Sequence, residues 1–246
     1  MHIFANWKMY LDHEESRQLS EDIKDIDVKD ETNLVVFPNP ISFREVGDIL
    51  DGSDIDLGAQ NVSWAPKGAY TGAISAHIFS KAGSEYALVG HSERRHIFDE
   101  SNEATAKKVE ACLKENIKPI LCIGETKEDL QQGDKELVLR EQLAAVFENV
   151  ELGADEIIIG YEPVWAIAGS GEGESCSPQQ AEETHAWIQK RVQKYVDGEV
   201  DIVYGGSVES NNVVSYTSSA NIHGVLVGHA SAEVDQFQSL ISAVES

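Results

Sequence analysis

The sequence predicts a (β/α)8 barrel, an α/β fold in which eight parallel strands are ringed by helices. Three observations carry this. Short apolar runs recur about every 30 residues, the spacing of a strand plus a returning helix. The runs are near-continuous instead of alternating, which is how parallel strands buried on both faces read. Helical patterns lie between them. The runner-up, an open doubly wound sheet, usually carries GxGxxG after its first strand. Here Asn6-Trp7-Lys8 follows that strand, Gly169-Ser170-Gly171-Glu172-Gly173 lacks the spacing, and there is no phosphate-loop GK[ST].

The predicted strands, in order, are Ile3-Phe4-Ala5, Leu34 to Phe37, Ile55 to Ala59, Tyr86 to Val89, Ile120 to Ile123, Ile157 to Ile159, Ile202 to Tyr204 and Val225 to Val227. Ser101 opens a helix running towards Asn116. Leu139, Leu143, Val146 and Val150 step by four, three and four, one apolar helix stripe. Ser177 caps the next helix, with Pro178 in its first turn and Gln180 closing a capping box. Ala181, His185, Ile188, Val192 and Tyr195 trace its inner face. Ala230-Ser231 starts a helical turn after the last strand. Without a linker or low-complexity tract, residues 1–246 read as one domain with a lid loop at about 163–177.

Nineteen Lys plus Arg against 43 Asp plus Glu give a formal charge of −24. Such an acidic chain lacks the cations that neutralise nucleic-acid phosphates or anionic membranes. It predicts a hydrated acidic surface and, as a hypothesis, a host with a salty cytoplasm. Three cysteines without metal spacing fit a reducing compartment. No signal peptide or spanning apolar run is visible, so a cytoplasmic protein is expected.

Residues suited to chemistry follow the strands, where a barrel builds its active site. Asn6 and Lys8 follow the first, His91 the fourth, Glu162 the sixth, Gly205-Gly206-Ser207 the seventh and Gly228-His229 the eighth. Glu162 is a base at a strand's mouth. Pro163 fixes the backbone beyond it, and Trp165 and Ile167 form an apolar cap that should strip its hydration and strengthen it. His91 can polarise an oxygen, Lys8 can hold an anion, and backbone N–H groups after the last two strands suit a phosphate. This kit implies proton transfer next to a carbonyl, and no nucleophile-elbow Ser, metal-ligand set or nucleotide motif suggests another reaction. A phosphate-binding protein without turnover is the competing reading.

Asn6-Trp7-Lys8, Gly58 to Ser63, Gly68 to Gly72, Val89 to Arg95, Tyr161 to Ile167 and Tyr204 to Ser207, in this order, resemble the triosephosphate isomerase family over nearly the whole chain. The resemblance implies a TIM barrel that interconverts dihydroxyacetone phosphate and D-glyceraldehyde 3-phosphate through an enediolate, in glycolysis and gluconeogenesis. It makes Glu162 the base, His91 the proton donor to the oxyanion, Lys8 its stabiliser, Asn6 a placing residue and Glu93 a support for Lys8 and His91. This family is itself the standard illustration of a carboxylate base paired with a neutral histidine. Ile167 and Leu226 would pack around the base. Gly169, Ser207, Gly228 and His229 would offer N–H groups to the phosphate. A homodimer is implied, with Thr71 at the tip of a loop entering the partner. Two departures stand out. His229 replaces a glycine, and the lid is longer and acidic, so that either Ala168 or Gly169 takes its phosphate contact. A negative φ at His229 is expected, with the ring turned from the phosphate; the rival is a protonated ring that binds it.

Overall fold

The computed structural model describes residues 1–29, 31–167 and 175–245. Eight parallel strands close into a barrel in sequence order, β1 pairing with both β2 and β8. They are β1 His2–Asn6, β2 Asn33–Phe37, β3 Ile55–Ala59, β4 Tyr86–Val89, β5 Lys118–Ile123, β6 Ile158–Tyr161, β7 Asp201–Tyr204 and β8 Gly224–Val227. Each predicted run meets a strand, though β5 begins earlier, at Lys118, and β6 leaves out Ile157 and runs on through Gly160 to Tyr161.

The continuous apolar runs have a direct cause. Side chains alternate between two buried compartments instead of between core and water. Phe4, Val35, Phe37, Leu88, Ile120, Cys122, Ile158, Val203 and Leu226 fill the barrel interior. Their neighbours Ile3, Ala5, Leu34, Val36, Leu121, Ile159 and Ile202 face outward, under the helices. Large and small residues interlock inside. A Cβ at Gly58 would lie 2.2 Å from the Phe37 ring, so β3 carries no side chain there.

Helix starts follow their caps. Ser101 accepts the Ala104 N–H and opens Asn102–Lys114. Ser177 and Gln180 form the expected capping box on Pro178–Val192. Two expected stripes overrun their helices. Helix Lys135–Phe147 stops before Val150, and the Ser177-capped helix stops at Val192. Tyr195 lies beyond that end because the chain turns, its N–H on the Val192 carbonyl and its ring stacked 5.8 Å from Phe147. His185 sits in the buried face as expected; burial pushes its pKa down to about 3, so it is neutral.

Candidate active site

The strands' C-terminal ends deliver the polar residues to one cavity. Its wall includes Asn6, Lys8, His91, Glu162, Ile167, Ser207, Leu226, Gly228 and His229. Tyr10, Glu209 and Gln236 also line it; no spacing in the sequence marks them. Glu93 stands behind the wall, in contact with Lys8. Thr71 is exposed on a separate loop. Ala168, Gly169 and the rest of 168–174 in the expected lid lie outside the described residues.

Asn6 closes β1 and is buried, with its side-chain oxygen taking the Lys8 N–H at 3.1 Å. That bond folds the chain back at Lys8, whose φ is +49°, a region costly for a residue with a Cβ. The turn sends the lysine across the site. Its Nζ reaches Glu93 Oε1 at 2.6 Å, and its Cε lies so near Gly228 that a Cβ there would be 3.2 Å away. Gly228 is thus small because Lys8 passes over it.

His91 caps helix Ser92–Ile97, its Nδ1 accepting the Glu93 N–H at 3.2 Å. An imidazole nitrogen that accepts carries no proton, so the ring's proton is assigned to Nε2. Nε2 lies 2.9 Å from Glu162 Oε1 and 3.4 Å from Asn6 Nδ2. Glu162 Oε2 takes the Ser92 N–H at 2.9 Å. The carboxylate is buried, 2% exposed.

Burial alone raises a carboxyl pKa, which was the expectation from the apolar cap. Here it is outweighed. His91, the Ser92 N–H and Lys8 together hold Glu162 below its ordinary value. The expected strengthening is therefore not a property of this arrangement.

Trp165 does not line this cavity. It sits in a 3-10 turn, Val164–Ala166, and its indole N–H is bound at 2.9 Å by Glu125 Oε1. Tyr161 donates to the same oxygen at 3.0 Å, and Glu125 is fully buried. A buried indole seeks an acceptor, so Trp165 anchors the start of the 163–177 loop. Ser207 is also engaged: its N–H and hydroxyl both bind the Ala166 carbonyl, at 3.1 and 2.8 Å. Beneath the site, Gln142 clamps both backbone groups of Gly124, and a Cβ on Gly124 would lie 1.8 Å from the Glu162 carbonyl oxygen.

His229 opens a 3-10 turn, His229–Ala232. It is absent from the residues of positive φ, as expected, and its ring packs edge-on against Tyr10 at 5.1 Å.

A closed parallel barrel with a buried carboxylate, an imidazole and an ammonium at its C-terminal rim carries these groups where the barrel enzymes build their active sites. A profile of the triosephosphate isomerase family matches residues 1–244. Triosephosphate isomerase of Alkaliphilus oremlandii is 40% identical over 98% of both chains. That of Aquifex aeolicus is 38% identical over 97% of both. That of Symbiobacterium thermophilum is 39% identical over 98% of this chain and 95% of its own. The chain belongs to the triosephosphate isomerase family.

Proposed function

We propose that this chain interconverts dihydroxyacetone phosphate and D-glyceraldehyde 3-phosphate, the glycolytic isomerisation, with Glu162, His91 and Lys8 as the reacting groups. The observation that carries the assignment is the buried contact of 2.9 Å between Glu162 Oε1 and His91 Nε2, on a cavity wall shared with Lys8. Glu162 removes a proton from the carbon beside the carbonyl and returns it to the neighbouring carbon through an enediolate. His91 Nε2–H donates its proton to the oxygen on which charge develops and takes back the proton of the neighbouring hydroxyl, so that carbonyl and hydroxyl exchange places. Lys8 stabilises that charge, Asn6 helps place it, and Glu93 steadies the lysine. To reach carbon, Glu162 must leave the Ser92 N–H and His91. Those contacts lower its pKa while burial raises it, so departure strengthens the base as it arrives at the substrate.

The small loops at Gly205 to Ser207 and Gly228-His229 support a phosphate grip by backbone N–H groups, with Ser207 exchanging the Ala166 carbonyl for the phosphate and Gly169 in the same role. Ile167 and Leu226 pack beside the base. The strands run from His2 to Val227, which supports one domain over 1–246 with 163–177 as its lid. The test is a coupled assay on pure protein. Absence of turnover in either direction, with phosphate binding retained, would establish the binding-protein reading instead.

The assembly we propose is a homodimer. A second cavity of about 710 Å3 adjoins the site, its wall including Lys8, Met9, Trp64, Ile74 and Phe98. Met9 is 95% and Phe98 62% exposed, apolar surface that a second copy would cover. The exposed loop carrying Thr71 would enter the partner. Sedimentation showing an active monomer at micromolar concentration would reject this. The three buried, unpaired cysteines support a reducing, cytoplasmic location. No described helix is long and apolar enough to cross a membrane.

A further inference from the structure

Tyr216 belongs to no motif, yet it joins two parts of the site. It lies in the short helix Val213–Thr217 and is 4% exposed. Its hydroxyl donates to the Cys176 carbonyl at 2.6 Å. Its ring stacks on Tyr204, centroids 4.3 Å apart and planes 16° from parallel. Tyr204 ends β7 and forms the floor of the loop that follows: a Cβ on Gly206 would lie 2.1 Å from the Tyr204 hydroxyl oxygen. Cys176 immediately precedes Ser177, whose capping box fixes the start of helix Pro178–Val192.

A continuous chain of contacts therefore runs from that helix cap through Cys176, Tyr216 and Tyr204 to Gly206. On the other side, Ser207 holds the Ala166 carbonyl through its N–H and its hydroxyl. The loop from Gly205 to Ser207 is thus pinned from both flanks of the 163–177 connection. We propose that Tyr216 is a positioning residue for the phosphate end of the substrate: its hydroxyl, fixed on the Cys176 carbonyl, holds the Tyr204 ring and so presets the Gly205 to Ser207 loop. This rests on the reading of that loop as part of the phosphate grip. The effect is on binding, because Tyr216 lines no part of the cavity that holds Glu162 and His91. A preset loop loses less conformational freedom when the phosphate arrives.

The experiment compares Tyr216→Phe, which keeps the ring and removes the hydroxyl, with Tyr216→Leu, which removes both. In Tyr216→Phe, KM for dihydroxyacetone phosphate and the inhibition constant of inorganic phosphate rise together, by about threefold to tenfold, while kcat stays within about twofold. Tyr216→Leu shows at least the same rise and also a lower Tm. A merely structural role would lower Tm and leave KM and the phosphate constant unmoved; that result in Tyr216→Phe overturns the proposal. So does a fall in kcat at unchanged KM. The wild-type assay separately decides the isomerase reading. Should wild type lack turnover, the Kd of inorganic phosphate, measured by calorimetry on wild type and Tyr216→Phe, still decides the role of Tyr216: a rise of about threefold or more sustains it and equal values end it.

Discussion

Gly124→Ala tests whether the site depends on where the Glu162 backbone stands. Gly124 follows β5, one strand before Glu162, with both its backbone groups held by Gln142. A Cβ there would meet the Glu162 carbonyl oxygen at 1.8 Å, the carbonyl carbon at 2.6 Å and the Cα at 3.4 Å. Reaching even 3.0 Å from that oxygen requires a shift of 3.0 − 1.8 = 1.2 Å. No side chain can swing aside, because the obstruction is backbone, and the Glu162 N–H is itself tied to the Ile123 carbonyl at 2.8 Å. Misplacing a reacting group by about 1 Å costs on the order of 10²-fold in rate, equivalent to about 2.7 kcal/mol of barrier. The expected outcome is kcat lowered about 10²-fold with KM changed less than about threefold, since Gly124 does not line the cavity. Overpacking adds a stability cost of about 1–3 kcal/mol, seen as a Tm drop of several degrees. The coupled assay and thermal denaturation on the same preparation read both. A folded Gly124→Ala protein with kcat within about threefold of wild type would refute the reasoning, for it would mean that the carboxylate tolerates the displacement.

Glu162→Gln should lose most turnover while keeping substrate affinity, and His91→Ala should lose about 10² to 10⁴ in kcat; either variant retaining a tenth of wild-type kcat misassigns the pair. Asp56, half-buried near Glu85, has its pKa pushed up to about 6 by burial first and then by that neighbour. A raised carboxyl pKa favours the folded state at low pH and is a growing penalty as pH climbs from the ordinary 3.8 through about 6. Asp56→Asn should therefore raise Tm at pH 7.5, with the gain shrinking towards pH 4.5; an equal gain at both values would show that charge is not the cause. At a formal charge of −24, Tm should rise with NaCl between about 0.1 and 1 M, as the Debye length shrinks from about 10 to about 3 Å; a flat response would reject self-repulsion as a significant term. Because the His229 ring rests on Tyr10, His229→Gly should change KM by less than about threefold with no new pH dependence between pH 6 and 8, and a tenfold rise confined to pH 6 would show the imidazole binding phosphate.

What was legible in the sequence, and what was not, divides along a physical line. The barrel was legible because each strand is buried on both faces, so Ile3 and Phe4 are both apolar although one meets helices and the other the interior. Asn6, Lys8, His91 and Glu162 were legible because each ends or closely follows a strand, and strand ends converge by topology alone. Glu125 was not. It is one of 43 acidic residues, and its role comes from Tyr161 and Trp165 reaching it across 36 and 40 residues. Gln142 and Tyr216 were hidden in the same way, since each acts through a backbone group that no sequence pattern marks. The strength of Glu162 as a base was hidden for a further reason. It is a difference between opposing effects: burial pulls one way, and His91, Ser92 and Lys8 the other. Sequence supplied the apolar cap and hence only the first. The balance depends on two contacts of 2.9 Å, one to a side chain and one to a backbone N–H. In the mechanism proposed above, the same two contacts break before the carboxylate reaches carbon. Under the proposed mechanism, releasing His91 and the Ser92 N–H removes two of the three influences that lower the proton affinity of Glu162, so its affinity and its position change together, while Lys8 goes on lowering it.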